Sequence, residues 1–405
     1  IISIFFLYLS VKNKLWVYFS NNFFYIFIGF YAYILLNSLF SENIILSLES
    51  SLFYFRYILF SLSIWFLVEN NKELINNLSI AFLLTFIFAI VDGYWQFTFG
   101  SSIFGYKALE FRMTLSLNDK MILGSYLARL FPLLAALIIY QNKIKNKFLL
   151  IYLLLILVNV LVFLSGERTA IALQLMSTIL IIILVPKHYM IKSLILLISL
   201  LIIVIVSYLN QDTRLRNLTH TINQLNIGSS NTNTFLEKNS DIIDSDKNIR
   251  IFSTHHESMY NSAFKMFIEN PFFGIGPKMY RVQCKNKKYT VYWRDDGNRR
   301  DSCSTHPHNN YFQAGAEMGA VGLLILIFLF FYFINKTLNH YYRILLKKKK
   351  IINDNKIFLI ICFIITLWPI IPSLNFFNNW INIIYFFPVG FYISTIYGSK
   401  SFVDE

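Results

Sequence analysis

The sequence predicts an all-α, polytopic membrane protein with one large loop outside the bilayer. Three observations carry this. First, 56% of the 405 residues are hydrophobic and only 14% are charged, with a mean hydropathy of +0.53; a soluble domain carries roughly a quarter charged residues. Second, the apolar residues come in blocks of about 17 to 25, the length that crosses a bilayer as a helix. Third, these blocks are apolar on all sides, so they must face lipid or other helices.

Eleven blocks are visible. They run approximately 1–11, 23–40, 52–68, 78–97, 121–140, 148–164, 169–185, 189–209, 311–334, 357–372 and 379–397. The first is short and opens on Ile1, which suggests a missing preceding helix and a total of twelve. A signal peptide is the alternative, but no basic n-region or small-residue cleavage site is visible. The division is into a first bundle (1–209), a large loop (210–310) and a last group of three helices (311–405).

The net charge of +14 could suggest nucleic acid, but its distribution excludes that reading. Short connections alternate in Lys/Arg content, as the positive-inside rule predicts. Lys12 and Lys14, Lys72, Lys143 to Lys147, Lys187 and Lys192, Lys336 to Lys356 and Lys400 fall on one set. The intervening connections are poorer: 41–51 and 373–378 have none, and 100–120 has three, partly balanced by Glu110 and Asp119. The basic set is expected to face the cytoplasm, placing the long loop on the outward side of the membrane. His188 and His340 then sit on cytoplasmic connections and read as solvated. Cys284 and Cys303 both lie in the outward loop, where an oxidising compartment permits a disulfide. Cys362 lies inside an apolar block and reads as a small hydrophobe.

The loop has three parts. Residues 228–248 are polar and turn-rich. Residues 250–281 show Met259, Ala263 and Phe267 at a four-residue repeat, with Tyr260 and Phe264 beside them. That spacing predicts an amphipathic helix lying on the membrane surface or over the bundle, ended by Pro271 and a tight "GIGP" turn. Residues 282–310 are polar with aromatics and lead into "STHPHNNYFQAGAEMGAVG".

Several charges occupy costly positions. Arg168 and Glu167 in "LSGERTA" are held between two spans. Arg56 lies about one turn inside the third block, Arg129 is deeper in the fifth, and Asp92 is near the end of the fourth. A charge in a membrane helix costs at least about 2.5–3.5 kcal/mol on insertion scales, so it is a functional candidate by default; snorkelling or an Arg–Asp pair is the structural alternative. Arg250 and Arg281 flank the amphipathic segment. Guanidinium forks match phosphate oxygens bidentately, so a lipid-attached phosphate or diphosphate is the expected ligand.

At these residues the chain resembles the O-antigen ligase and O-antigen polymerase superfamily. Its ligases carry His, then Asn, Ser or Gln, nine residues, Gly, two residues, and a small residue or Tyr. Here His308, Asn309, Gly319 and Gly322 fit that pattern. An arginine after Ser-Gly at a helix start matches Arg168, and one preceding the loop helix matches Arg250. The resemblance implies transfer of a glycan from undecaprenyl diphosphate to an acceptor hydroxyl at the periplasmic face, with inversion. In ligases the acceptor is a sugar of lipid A–core; in polymerases it is another lipid-linked glycan. It implies no cofactor, metal or nucleotide sugar, and membrane lipids as surroundings.

The residue chemistry supports the same reaction. His308 can serve as base, with an ordinary pKa near 6.5. Arg168 and Arg250 can neutralise charge growing on the diphosphate. Asn309 and Glu317 could orient the imidazole or the acceptor; Arg56, Arg281 and His306 are secondary candidates. The glycines at 315, 319 and 322 make a small-residue face for close helix packing. A zinc site built on His306 and His308, with His255 and His256, lacks a third or fourth ligand at fixed spacing. A transporter would call for an internal repeat or polar groups at mid-bilayer; no repeat is visible, and the polar cluster lies on one side. A noncatalytic assembly partner would not require the Arg168, Arg250 and His308 set.

Overall fold

The computed structural model describes residues 1–108, 112–114, 121–141, 144–219, 222, 242–243, 252–295, 298–346 and 352–398. The chain is mainly helical. In order the helices are α1 (Ile2–Lys12), α2 (Asn22–Leu39), α3 (Ile44–Ser51), α4 (Arg56–Asn70), α5 (Lys72–Phe99), α6 (Leu123–Tyr140), α7 (Lys147–Leu164), α8 (Arg168–Leu184), α9 (Tyr189–Leu209) and the short α10 (Gln211–Arg214). Then come α11 (Thr254–Glu269), α12 (Tyr280–Gln283), α13 (Asn310–Leu345), α14 (Asp354–Thr366) and α15 (Asn379–Tyr397).

Each of the eleven apolar blocks forms a helix. Among the described residues, eight helices are long and apolar enough to cross a membrane, α3 and α4 counting together as Ile44–Asn70. α1, with 11 residues, and α8, with 17, are as long as their blocks. α14 has 13 rather than continuing to 372, because "WPIIPS" follows. The residue before a proline is pushed out of the helical region, and Pro itself lacks the N–H a helix needs.

The chain folds as two compact units. One comprises Ile1–Ser63, Thr221–Leu329 and Trp368–Phe386. The other comprises Ile64–His220, Phe330–Leu367 and Phe387–Glu405.

In the second unit α6 and α14 are buried along almost their whole lengths. Uniform apolarity is what a helix buried on every side requires. Polar side chains there pair with one another. Asn159 of α7 accepts from Gln174 (2.8 Å) and Thr178 (3.0 Å) of α8, and donates to Ser199 of α9 (3.3 Å). Such bonds hold helices together where lipid supplies no hydrophobic drive. Two residues read as exposed cytoplasmic groups prove to be buried. Lys192 donates to the carbonyls of Ile181 (3.0 Å), Ile182 (3.1 Å) and Val185. His340 Nε2 lies 3.0 Å from Leu184 O. Together they satisfy the carbonyls that the end of α8 leaves open.

The first unit holds the described part of the large loop. α11 forms where the periodicity predicts it, started by Ser253, whose Oγ accepts from His256 N at 3.3 Å. It buries Met259, Tyr260, Ala263 and Met266, whereas Phe264 is exposed. A three-stranded sheet flanks it: β1 (Ile242–Ile243) runs parallel to β2 (Tyr292–Asp295), which pairs antiparallel with β3 (Asn298–Asp301). Cys284 and Cys303 are joined as a disulfide, with Cα atoms 5.0 Å apart. Cys284 lies in a cluster with Ala263, Met266, Tyr280, Tyr289 and Ala316.

The largest departure from expectation is in α13. Gly319 has φ 62° and ψ −159°, so the helix is broken there. The small-residue stretch is therefore not one continuous packing face. The turn after Pro271 fills the break: Ile275 N donates to Ala316 O and Gly276 N to Glu317 O, both at 2.9 Å, and Ala320 N donates to Pro271 O at 2.7 Å. Tyr33 Oη of α2 donates to Met318 O at 2.5 Å. Backbone groups freed by the kink are thus re-bonded, as a buried break requires. Gly274 and Gly319 meet backbone to backbone, with no room for a Cβ on either.

Candidate active site

His308 occupies the left-handed region, with φ 56°. Such a conformation is uncommon outside glycine and persists where the surroundings over-determine it. Here they do so from both sides. Ser373 N donates to His308 O at 2.8 Å. The next residue, Asn309, is the cap of α13: its Oδ1 accepts from Tyr311 N (2.8 Å) and Phe312 N (3.3 Å), while Nδ2 donates to Pro369 O (2.7 Å). Asn309 therefore anchors the backbone that carries His308.

The His308 ring is half-buried in a group of histidines. Its centroid lies 4.1 Å from that of His306 and 5.7 Å from that of His256, which is 5.9 Å from His255. Ser253 Oγ is 2.9 Å from His256 Nδ1, and Thr305 Oγ1 is 2.9 Å from His306 Nδ1. Burial, and then the charge His255 would carry, hold His308 below its ordinary pKa. Burial, followed by His308, takes His306 down to about 3. His306 Nε2 is buried, with no hydrogen-bond partner among the described residues. Both imidazoles are neutral at physiological pH, so each presents a lone pair and a proton.

Behind them, Glu317 is fully buried. Its Oε1 accepts from Tyr280 N (3.0 Å) and its Oε2 from Gln313 Nε2 (2.9 Å). Gln313 in turn accepts from Phe376 N at 2.8 Å and donates to Asn375 at 3.2 Å. Glu317 thus ties α12 to α13, with Arg281 close enough to act on its charge and on that of His306. Arg56 lies in the same unit, at the exposed start of α4. Its Nη2 donates to Tyr57 Oη at 2.8 Å with the guanidinium over the Tyr57 ring, and Tyr57 bonds Asn379.

The second unit holds Arg168. "LSGERTA" makes a tight corner between α7 and α8, with Gly166 at φ 73°. Glu167 reaches back to the start of α6, accepting from Gly124 N (2.8 Å), Ser125 N (3.3 Å) and Ser125 Oγ (2.5 Å). A carboxylate is the natural partner for a helix N-terminus. Burial nevertheless raises its pKa, against those hydrogen bonds and Arg112. The segment 112–114 is pinned to the same corner: Met113 N donates to Ser165 O at 3.1 Å, and Thr114 is bonded to Gln96. This brings Arg112 close enough to Arg168 for the two guanidiniums to repel. Sequence reading passed over Arg112, which lies in an irregular connection. Asp92 is wholly buried and accepts from Ile103 N at 2.7 Å; Arg129 is buried in α6.

The structure thus gathers His306, His308, Asn309, Glu317 and Arg281 in one unit, and Arg168 with Arg112 and Glu167 in the other. Arg250 lies outside the described residues. Among those residues, no group of three or more His, Cys, Asp or Glu side chains is arranged to hold a metal ion.

A family model described as O-antigen ligase matches residues 153–327, a stretch that includes Arg168, Arg281, His308, Asn309 and Gly319. No curated protein and no solved structure matches the chain. The family match supports a ligase- or polymerase-type, glycosyltransferase-like activity on lipid-linked glycan and acceptor substrates. Over residues 153–327 the chain is thus similar to the O-antigen ligase family, and among the described residues eight helices are long and apolar enough to cross a membrane.

Proposed function

We propose that the protein moves a glycan from undecaprenyl diphosphate to a sugar hydroxyl of lipid A–core, at the periplasmic face of a bacterial inner membrane. The observation that carries this reading is His308: a neutral imidazole held in a left-handed conformation at the head of a spanning helix. Strain at an over-determined position is a pointer to function.

In this reading His308 takes the proton of the acceptor hydroxyl as its oxygen attacks the anomeric carbon. The bond from that carbon to the diphosphate oxygen breaks, the diphosphate leaves with the electron pair, and the anomeric centre inverts. Arg168 and Arg250 neutralise the leaving group, and Arg112 adds a third guanidinium beside Arg168. Preorganised cations of this kind act where charge develops. The lipid diphosphate is already activated, so the reaction requires no metal and no nucleotide sugar.

The test is His308→Asn, since Asn tolerates the left-handed region but offers no basic nitrogen. Purified variant in bilayers should keep its fold and lose transfer from a lipid-linked donor. Undiminished transfer would remove His308 as the base. Polymerisation, the second activity the family match covers, uses the same chemistry with another lipid-linked glycan as acceptor. A deletion strain separates the two. Loss of all long chains from core, with lipid-linked polymer accumulating, marks a ligase; a single repeat unit on core marks a polymerase.

A further inference from the structure

Residues 271–276 belong to the large loop by sequence, yet their backbone is bonded into two helices that are candidate membrane spans. Ile275 and Gly276 donate to α13 at Ala316 and Glu317, and Pro271 O accepts from Ala320 N. From α2, Asn37 Nδ2 donates to Phe273 O at 2.5 Å and Tyr33 Oη lies 3.5 Å from Phe272 O. Gly274 N closes on Asn270 O at 2.8 Å. Ala320 stands ten residues into α13, just past the break at Gly319. Beyond it the outward surface of α13 is hydrocarbon, with Val321, Leu324 and Phe328 exposed; at the end of α2, Leu36, Leu39 and the capping Phe40 are exposed.

The side chains of the turn continue that surface. Phe272 is 72% exposed and Phe273 66%. One helical turn and two turns earlier, Ile268 and Phe264 are 60% and 50% exposed, on the side of α11 away from its buried Met259, Ala263 and Met266. Four large apolar side chains facing outward on one segment mark an interaction surface. The ion pair of Lys278 with Glu49 of α3 (2.8 Å) lies just past the turn, where a polar rim belongs.

We propose that residues 264, 268, 272 and 273 lie in membrane lipid, so that the turn 271–276 is a re-entrant anchor fastening the loop to the bilayer. Non-helical backbone survives at membrane depth where protein satisfies its polar groups. The hydrogen bonds above do this, leaving the side chains to meet acyl chains. The occupant follows from continuity: the turn's backbone is bonded to the spans whose apolar surface it extends.

The test uses the full chain in donor-free bilayers. Cysteine placed singly at Phe272 or Phe273 is spin-labelled, with Lys287→Cys, on the exposed polar stretch after α12, as reference. Cys284 and Cys303 are paired and Cys362 is buried, so unmodified protein is the labelling blank. Labels at 272 and 273 should collide with oxygen several-fold more readily than with a water-soluble nickel chelate, and the reference should show the reverse. Chelate collisions at 272 and 273 equal to those at 287 would overturn the proposal. On unmodified protein, a phospholipid carrying its photoreactive group on an acyl chain should crosslink to the peptide holding residues 264–275; crosslinks confined to the spanning helices would equally overturn it.

Discussion

Replacing Gly319 by Ala tests the site's architecture directly. A Cβ at this position would overlap the Phe272 carbonyl and fall 2.7 Å from Gly274 N. Both are backbone groups fixed by hydrogen bonds, so no side chain can swing away. The conformation itself (φ 62°, ψ −159°) is one that glycine alone adopts readily; other residues are strained there by roughly 1–3 kcal/mol. Forcing a methyl into a filled space adds about 1–3 kcal/mol more. The sum is about 4 kcal/mol, close to a thousandfold in the folded ratio. Gly315, four residues earlier in the same helix, is the control: the nearest atom to its Cβ is the Phe267 ring at 3.5 Å. Ala is favoured over Gly there by about 1 kcal/mol of helix propensity. Thermal inactivation in one detergent should therefore move in opposite directions for Gly319→Ala and Gly315→Ala. Equal midpoints for Gly319→Ala and wild type would refute the reasoning.

Other expectations follow from the same contacts. His306 is buried neutral, with a folded pKa of about 3 against an ordinary 6.5. The unfolded chain binds the extra proton, so stability is complete above pH 6.5 and falls as pH drops toward 3. The loss is about 2 kcal/mol by pH 5, and acid unfolding of His306→Asn should lack that component. Because His308 is also held below its ordinary pKa, the acid limb of a kcat/KM profile for transfer should have its midpoint below 6.5. Glu167→Ala removes the cap on α6 and should cost about 1–2 kcal/mol of stability, measured as the loss of detergent-resistant fold. Arg112→Ala and Arg168→Ala should each raise KM for the lipid-diphosphate donor while leaving the acceptor KM unchanged. Reducing the Cys284–Cys303 link opens a loop whose closure contributes about 3 kcal/mol, so a Cys303→Ala protein should be cut faster by protease between β2 and α13.

The helices were legible because span length and apolarity report directly on lipid and burial. The buried role of Lys192 was not: a lysine near a helix end reads as a topological charge, and its carbonyl partners are contributed by the preceding helix. The same holds for His340, whose partner Leu184 is 156 residues away. Arg168 stood out because it interrupts hydrocarbon, whereas Arg112 lies in a polar connection where an arginine is unremarkable. Three glycines in α13 looked alike in sequence. Only tertiary contact with the 271–276 turn selects Gly319 for the break. For Glu317 the sequence marked a polar group at the site, but its bonds to Tyr280 N and Gln313 Nε2 depend on the tertiary fold and could not be read from it.

The meeting of Gly274 and Gly319 also constrains how this sequence can drift. Each glycine's missing side chain is the space the other's backbone fills, and Tyr33 and Asn37 of α2 bond the carbonyls the pair leaves open. These four positions, up to 286 residues apart (319 − 33), form one mutational unit. Changes at Gly274 and Gly319 will not add: once one has pushed the two backbones apart, the second costs little. A variant chain escaping one of these glycines is expected to reshape the loop and the helix together.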